Sequence, residues 1–149
     1  METKTVGKVI VSAKIENLTD LMAVETGARQ PVDVRWLEVS DALVDTGATM
    51  LSLPKRMIEQ LGLKLVRTRR ARTAAGMTDF GVYSLVQLTI QGRDCKLEPA
   101  EVPDDCPVLI GQLPLEHMDF VVDPISQRLI GNPDHGGEQM IDMFAAAVA

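Results

Sequence analysis

The alternation of apolar and polar residues in the first part of the chain predicts short strands. Residues Val6 to Ile15 partly alternate, as a strand with one buried face does. Residues Val32 to Val39 predict a second strand, with a bulge or bend near Trp36, where the alternation slips. The apolar triplet Ala42 to Val44 is typical of a short buried strand. We therefore expect this part of the chain to be mainly β-structure.

Turn and helix signals divide these strands from the rest of the chain. Turns are predicted at Asn17 to Asp20 and at Gly27 to Pro31, where turn-forming residues cluster. A helix is predicted after residue 50, because Ser52 is a suitable N-cap and Pro54 suits a first helical turn. Gly62 is the expected end of that helix.

Further strands are predicted in the second half of the chain. The strand-like segments are Leu63 to Arg72, Phe80 to Ile90, Lys96 to Val102 and Val108 to Ile110. A short helix is predicted from Pro114, and a hairpin is predicted between Phe120 and Ile130. The apolar end of the chain, from Met143, is compatible with a terminal helix or with disorder. The whole pattern predicts an all-β domain with one or two short helices.

Length and composition restrict the architecture to one domain. The chain has 149 residues, of which 46% are hydrophobic, 24% charged and 3% aromatic. Its core must therefore be aliphatic, and its size excludes a two-lobed enzyme. We assign residues 1–133 to the domain and residues 134–149 to a C-terminal tail. The net charge of -6 argues against nucleic acid or an anionic membrane as a partner.

The sequence also bears on compartment and cofactors. Cys95 and Cys106 have no metal-ligand spacing and are expected to be free thiols. No apolar run is long enough for a signal peptide or a membrane span, so a cytoplasmic location is expected. His117 and His135 lack a matching set of ligands. We expect no metal and no other cofactor.

One short segment carries the strongest chemical signal. Asp45 directly follows the apolar triplet and begins the sequence Asp45, Thr46, Gly47, Ala48 and Thr49. The carboxylate is thereby placed at the end of a buried strand, where the threonine hydroxyls and the backbone N–H groups near Gly47 can donate to it. A simple turn or a helix N-cap would use the same residue types, and these five residues alone do not exclude either.

The neighbouring sequence adds a family resemblance. The segment around Asp45, followed by Leu51 to Pro54, resembles the active-site motif of retroviral-type (retropepsin-like) aspartic proteases. Val108 to Gly111 is similar to the family's apolar-apolar-glycine signature, in which Ile110 and Gly111 would pack beside the catalytic loop. Between these motifs lies the position of the family's flap, here Thr73, Ala74, Ala75, Gly76 and Met77. The resemblance implies a retropepsin-like β-barrel, closed or orthogonal, with one or two short helices.

The resemblance also implies a mechanism and a partner. Such enzymes hydrolyse peptide bonds with a water held between two aspartates that share one proton. This chain has the Asp-Thr-Gly motif once, so the second aspartate would come from a second copy in a symmetric homodimer. Thr46 would bond across the two-fold axis, and Gly47 and Ala48 would form the floor under an extended, largely apolar peptide. The implied activity is that of an aspartic endopeptidase.

Other signals are weaker, and two alternative functions stay open. Asp41, Asp79 and Asp123 lack the Thr-Gly context and are expected at the surface. The basic run from Lys64 to Arg72 fits a solvated strand face better than an acidic-substrate site, although both remain possible interpretations. The fold would also suit an inactive dimeric binding or regulatory module. A third possibility is a self-processing protease that trims its own tail near Met143.

Overall fold

Strands dominate the fold. The computed structural model describes residues 8–143. The strands are β1 (Val9–Asn17), β2 (Trp36–Val44), β3 (Leu51–Pro54), β4 (Leu65–Thr73), β5 (Gly76–Tyr83), β6 (Val86–Ile90), β7 (Arg93–Leu97), β8 (Ala100–Val102), β9 (Leu109–Ile110), β10 (Phe120–Asp123) and β11 (Arg128–Gly131). The α-helices are α1 (Leu18–Glu25), α2 (Lys55–Gln60) and α3 (Gln112–Met118), and short 3-10 helices cover Pro31–Asp33 and Pro133–His135. The all-β class is confirmed.

Nine of the strands form one curled sheet, and the remaining two form a separate hairpin. The order in the sheet is β4-β5-β8-β3-β9-β2-β1-β6-β7. Strand β1 lies between β2 and β6 and is antiparallel to both. Its side chains at Val9, Val11, Ala13 and Ile15 are buried, and most of the intervening ones are exposed. This is the period of two that the apolar pattern predicted.

The core is aliphatic, as the composition predicted. Its largest fully buried side chains include Ile15, Leu51, Leu53 and Leu88. Phe120 supplies an aromatic ring to the same buried cluster. Burial of this apolar area is the main favourable term in the folding of such a domain.

The second strand differs from its prediction in two ways. The register with β1 shifts within residues 39–42, so the bulge lies there and not near Trp36. Strand β2 continues through the bulge and includes Ala42 to Val44, which the sequence predicted as a separate strand. A bulge adds one residue to one strand only, so the alternation along that strand does not locate it.

The segment from Asn17 to Asp20 starts a helix and not the predicted turn. The Asn17 side chain accepts a hydrogen bond from the backbone N–H of Asp20 (3.1 Å) and so caps α1. The same side chain donates to the carbonyl oxygen of Leu61 (2.8 Å). The prediction failed because residues that favour turns also favour N-caps, and the helix that follows is short.

An ion pair between a buried carboxylate and a partly exposed arginine fixes the position of α1. The carboxylate of Asp20 accepts bonds from Arg35 Nε (2.9 Å) and Nη2 (3.0 Å) and is nearly inaccessible to solvent. These bonds lower the pKa of Asp20 below its ordinary value, against the opposing effect of burial. The pair connects the helix to the chain that leads into β2.

The other two helices start at positions that differ from their predictions. Leu51 to Pro54 is strand β3, so the N-cap of α2 is Pro54 and not Ser52. The backbone of Ser52 is held in the sheet, between β8 and β9, and therefore does not begin a helix. Helix α3 begins at Gln112, which places Pro114 within its first turn.

The predicted hairpin is present after α3. Strands β10 and β11 pair in register, and the carboxylate of Asp123 accepts bonds from the Ile125 N–H (3.1 Å) and the Ser126 hydroxyl (2.7 Å). The terminal segment from Phe144 to Ala149, predicted as helix or disorder, lies outside the described residues. Within residues 8–143, no helix is both long and apolar enough to cross a membrane.

The chain after β11 is attached to the domain through one buried carboxylate. Asp119, which is 8% exposed, accepts a bond from His135 Nδ1 (2.7 Å) and one from the N–H of Met140 (3.1 Å). The His135 Nε2 atom is 3.5 Å from a carboxylate oxygen of Asp142. Arg93 donates to the carbonyl oxygens of Asp119 (2.8 Å) and Gly137 (2.5 Å). Residues 135–142 are thereby bound to the end of α3.

We predict that this attachment depends on pH. The hydrogen bond to Asp119 raises the pKa of His135, and the same bond lowers the pKa of Asp119. Their contribution is complete between about pH 4 and pH 6.5, and it is lost as His135 deprotonates at higher pH. The protection factor of the Met140 amide in hydrogen exchange should therefore be larger at about pH 5.5 than at about pH 8.5.

The histidine variants test the origin of this effect. His135→Gln should remove the pH dependence of Met140 protection, and His117→Gln, which alters the histidine on α3, should preserve it. Equal protection at both pH values in the unmodified protein would contradict the prediction.

Candidate active site

Asp45 lies where β2 ends, and its backbone is bonded to β9. Its N–H donates to the carbonyl oxygen of Ile110 (2.9 Å), and its own carbonyl accepts from the N–H of Ala48 (3.1 Å). The carboxylate oxygen Oδ1 accepts a bond from the N–H of Gly47 (3.0 Å). The residue is half-buried, so the carboxylate is oriented by the loop while remaining accessible. We refer to residues 45–50 as the Asp45 loop.

Strand β9 fixes the two ends of the Asp45 loop. It lies between β2 and β3, parallel to β2 through Leu43 and Val44 and antiparallel to β3 through Leu51 and Ser52. The chain must therefore cross the end of β9 on its way from β2 to β3. That crossing is the Asp45 loop.

The start of α3 holds the middle of the loop. The first N–H groups of a helix have no partner within the helix. Here the N–H groups of Gly111, Gln112 and Leu113 donate to the carbonyl oxygens of Met50 (3.1 Å), Ala48 (2.8 Å) and Thr49 (2.9 Å). The backbone N–H groups at the start of α3 and the backbone carbonyl groups of the loop are thus hydrogen-bonded to each other.

Gly111 is in close contact with the Asp45 loop. A Cβ atom at this position would lie 2.5 Å from the carbonyl oxygen of Met50 and 2.8 Å from that of Ala48. Real Cβ atoms do not approach so closely, and the obstructing atoms are backbone atoms that no side-chain rotation can move. Only glycine at position 111 allows the loop to sit against α3.

We predict that Gly111→Ala moves the loop and destabilises the domain. The new methyl group collides with the backbone of residues 48–50, at a cost of about 2 kcal/mol or more in the free energy of unfolding. Urea denaturation measures this cost. Gly136→Ala is the control, since its Cβ meets open space and only the positive φ of 66° opposes it, at about 1 kcal/mol. Wild-type stability in Gly111→Ala would contradict the prediction.

The two threonines of the loop point to solvent. Thr46 and Thr49 are exposed, and Ala48 is half-buried. Among the described residues, no side-chain hydrogen bond is made by the hydroxyl of Thr46. That hydroxyl is available for a partner outside the described chain.

The predicted flap segment is the tip of a hairpin. Strands β4 and β5 pair as far as Thr73 and Gly76, which leaves Ala74 and Ala75 as the two-residue turn. The Thr73 hydroxyl accepts from the N–H of Ala75 (3.2 Å) and donates to the carbonyl of Gly76 (2.7 Å). Gly76 has a φ of 115°, a conformation that favours glycine. Met77 is 54% exposed at this tip.

A groove of about 1270 Å³ lies between the Asp45 loop and this hairpin. Of the predicted site residues, Gly47, Ala48, Thr49 and Thr73 line it. The predicted residues that do not line it are Asp45 and Thr46, at the loop edge, Ala74, Ala75, Gly76 and Met77, at the hairpin tip, and Ile110 and Gly111, behind the loop.

Other walls of the groove carry no sequence motif. They are formed by Lys55 at the start of α2, by Leu113 and His117 on α3, and by the chain from Leu97 to Asp104. On this last wall Glu101 accepts a hydrogen bond from the Tyr83 hydroxyl (2.6 Å), which raises the pKa of Tyr83 to about 12. These residues come together only through the pairing of distant strands, so no local spacing marks them.

A curled β-sheet with an Asp-Thr-Gly loop beside a groove bordered by a β-hairpin defines an aspartic-protease-like domain. Residues 38–117, from β2 into the last turn of α3, match the family model described as gag-polyprotein putative aspartyl protease. This match covers more than half of the chain. The protein belongs to this family, and its fold is retropepsin-like. No curated protein matches the chain.

Proposed function

We propose that the protein is an aspartic endopeptidase whose active unit is a symmetric homodimer. The observation that carries the proposal is the position of Asp45, which is oriented by Gly47 and β9 and stands two residues before the groove-lining segment Gly47 to Thr49. The family membership supports a protease-like function. The chain contains one Asp-Thr-Gly motif, so a second copy must supply the second carboxylate.

The proposed chemistry uses the two Asp45 carboxylates as one unit. Two carboxylates about 3 Å apart cannot both ionise readily, so the pair holds one proton. The ionised carboxylate takes a proton from water as its oxygen attacks the peptide carbonyl, and the protonated one gives its proton to the carbonyl oxygen. Collapse of the tetrahedral intermediate then breaks the C–N bond, with a proton delivered to the leaving amine. The roles of the two groups are exchanged by this cycle.

The surroundings of Asp45 suit this chemistry. The exposed Thr46 hydroxyl is proposed to bond to the partner's backbone across the two-fold axis. Gly47 and Ala48 line the groove and would support the peptide backbone. The hairpin tip, from Thr73 to Met77, would close over the peptide and exclude water, as enzyme lids do.

The proposed setting is the cytoplasm. Cys95 is buried and Cys106 is partly exposed, and both are free thiols. Unpaired cysteines fit a reducing compartment better than an oxidising one. We also propose residues 1–133 as the protease domain and residues 134–149 as its tail.

We predict that Asp45→Asn abolishes peptide cleavage. An amide can neither take a proton from water nor share one with its mate, so the rate should fall by about 1000-fold or more. The assay is cleavage of an unstructured polypeptide at mildly acidic pH, with a statine-type transition-state analogue as inhibitor.

Asp41→Asn is the matched control for this experiment. Asp41 is exposed on β2, four positions before Asp45, and its replacement makes the same change in charge. This variant should cleave like the wild type. Equal cleavage by wild type and Asp45→Asn would refute the mechanism, and a folded dimer that binds peptides without cleaving them would support the binding-module alternative instead.

We predict that an excess of Asp45→Asn chains inhibits the wild-type protein. Random exchange of subunits places most wild-type chains in mixed dimers that hold one aspartate. At a ninefold excess of the variant, the activity per wild-type chain should fall to about one tenth. The variant added immediately before the assay, without time for exchange, is the control. Undiminished activity after full exchange would show that the single chain is sufficient.

A further inference from the structure

The groove contains charges of both signs in equal number. Its cationic residues are Lys55, Arg69, Arg70 and Arg72, and its anionic residues are Asp79, Glu98, Glu101 and Asp104. A simple count would make the groove neutral. A charged side chain is available to a ligand only where it has no partner within the protein.

Each of the four anions already has a partner. Glu98 is bonded by both terminal nitrogens of Arg67 (2.5 and 3.3 Å), and Asp104 is bonded by the N–H of Arg56 (2.8 Å). Their partners, Arg67 and Arg56, do not line the groove.

The other two anions are also engaged. Glu101 accepts from the Tyr83 hydroxyl (2.6 Å), and Asp79 lies 3.7 Å from Arg70 across the hairpin. Glu98 and Asp104 are thus paired with arginines from outside the groove lining, whereas the neutral Tyr83 hydroxyl leaves the negative charge of Glu101 in place against the unpaired groove cations. The groove is left with a positive excess, although the chain as a whole has a net charge of -6.

Three of the four groove cations have no ion-pair partner among residues 8–143. They are Lys55, Arg69 and Arg72. Of these, Arg72 is opposite Met77 in the hairpin and shares its face of the strand with Arg70, two residues away. Arg69 is on the other face of β4.

The face that carries Arg69 packs toward the rest of the sheet, while Arg70 and Arg72 border the groove from the other face of β4. Arg69 is opposite Phe80 in the hairpin, and Arg67, on the same face, is opposite the fully buried Val82 and reaches Glu98 in the groove wall. Phe80 is half-buried and lines the groove. Arg69 thus combines a free guanidinium with an adjacent apolar ring.

We propose that the groove selects peptides that carry an acidic side chain opposite Arg69. This inference rests on the proposed function, since it names the substrate class of the same site. The guanidinium fork would bind the carboxylate with two hydrogen bonds, and the methylene groups of a glutamate would pack on Phe80. The basic run along β4, which fitted a solvated strand face in the sequence, would then be the specificity element of the enzyme.

The position of the groove favours a peptide over a nucleic acid. It opens beside the Asp45 loop, and Phe80 is the aromatic residue in its lining within the described chain. Binding of single-stranded nucleic acid usually needs several stacking platforms and a positive protein surface. The net charge of the chain would repel a polyanion outside the immediate reach of Arg69.

Peptide binding to the full-length Asp45→Asn protein tests the inference without cleavage. The probes are short, labelled, unstructured peptides that are identical except for Glu or Gln at one position, and fluorescence anisotropy gives their affinities. The Glu peptide should bind about tenfold more tightly at the best position. The ratio should fall toward one in about 0.5 M salt.

Substitutions of Arg69 assign the effect to this side chain. Arg69→Gln, added to Asp45→Asn, should bring the Glu-to-Gln ratio to about one, and Arg69→Lys should retain part of it because the charge remains without the fork. Arg128→Gln makes the same change in net charge at the exposed first residue of β11 and should retain the full ratio. A ratio near one before substitution, a ratio unchanged by Arg69→Gln, or tighter Arg69-dependent binding of a single-stranded oligonucleotide would overturn the inference.

Cleavage of the same peptides by protein with Asp45 intact separates the two proposals. Arg69-dependent binding without any cleavage would refute the proposed function and support the acidic preference. Cleavage with no Arg69-dependent preference would support the protease and refute the acidic preference.

Discussion

The insertion of β9 between β2 and β3 is the constraint on which the site depends. It separates the two strands that flank the Asp45 loop, so the loop has to span the end of β9. The loop carbonyls at residues 48–50 would lack partners there if α3 did not begin at that point and donate its free N–H groups. Gly111 is the residue that brings helix and loop within bonding distance. One short strand and one helix start therefore position the carboxylate.

Much of the fold could be predicted because its signals are local. The alternation in β1 and the hairpin around Asp123 depend on neighbouring residues, and the structure contains both. The features that were wrong or missing depend on distant ones. The bulge in β2 is defined by the pairing with β1, and α1 is fixed by the hydrogen bond that Arg35 donates to Asp20. Such long-range contacts produce no periodic pattern of apolar and polar residues in the sequence.

The candidate site also has some features that could be predicted from the sequence and others that could not. The Asp45 loop and Gly111 could be proposed as neighbours because a family resemblance supplied the long-range contact that local patterns do not contain. Neither the family resemblance nor a local pattern predicted the charge of the groove. The arginines on β4 form one basic run in the sequence, yet the structure pairs Arg67 with Glu98, between β7 and β8, and leaves Arg69 without an ion pair. The pairing of the strands determines which charged side chains lack an ion-pair partner. Only the folded chain shows this pairing.

Symmetry connects the proposed dimer with the charge of the groove. In an isologous pair each element on one side of the axis recurs on the other. A peptide bound across the two Asp45 residues would therefore meet one Arg69 on each side of the scissile bond, and each would favour a carboxylate at an equivalent distance from it. The net negative charge of the chain would still repel such peptides at long range, most strongly at low salt. Selection of the peptide would then depend on contacts inside the groove and not on long-range attraction to the protein. The reason is that the local charge near Arg69 is opposite in sign to the net charge of the chain.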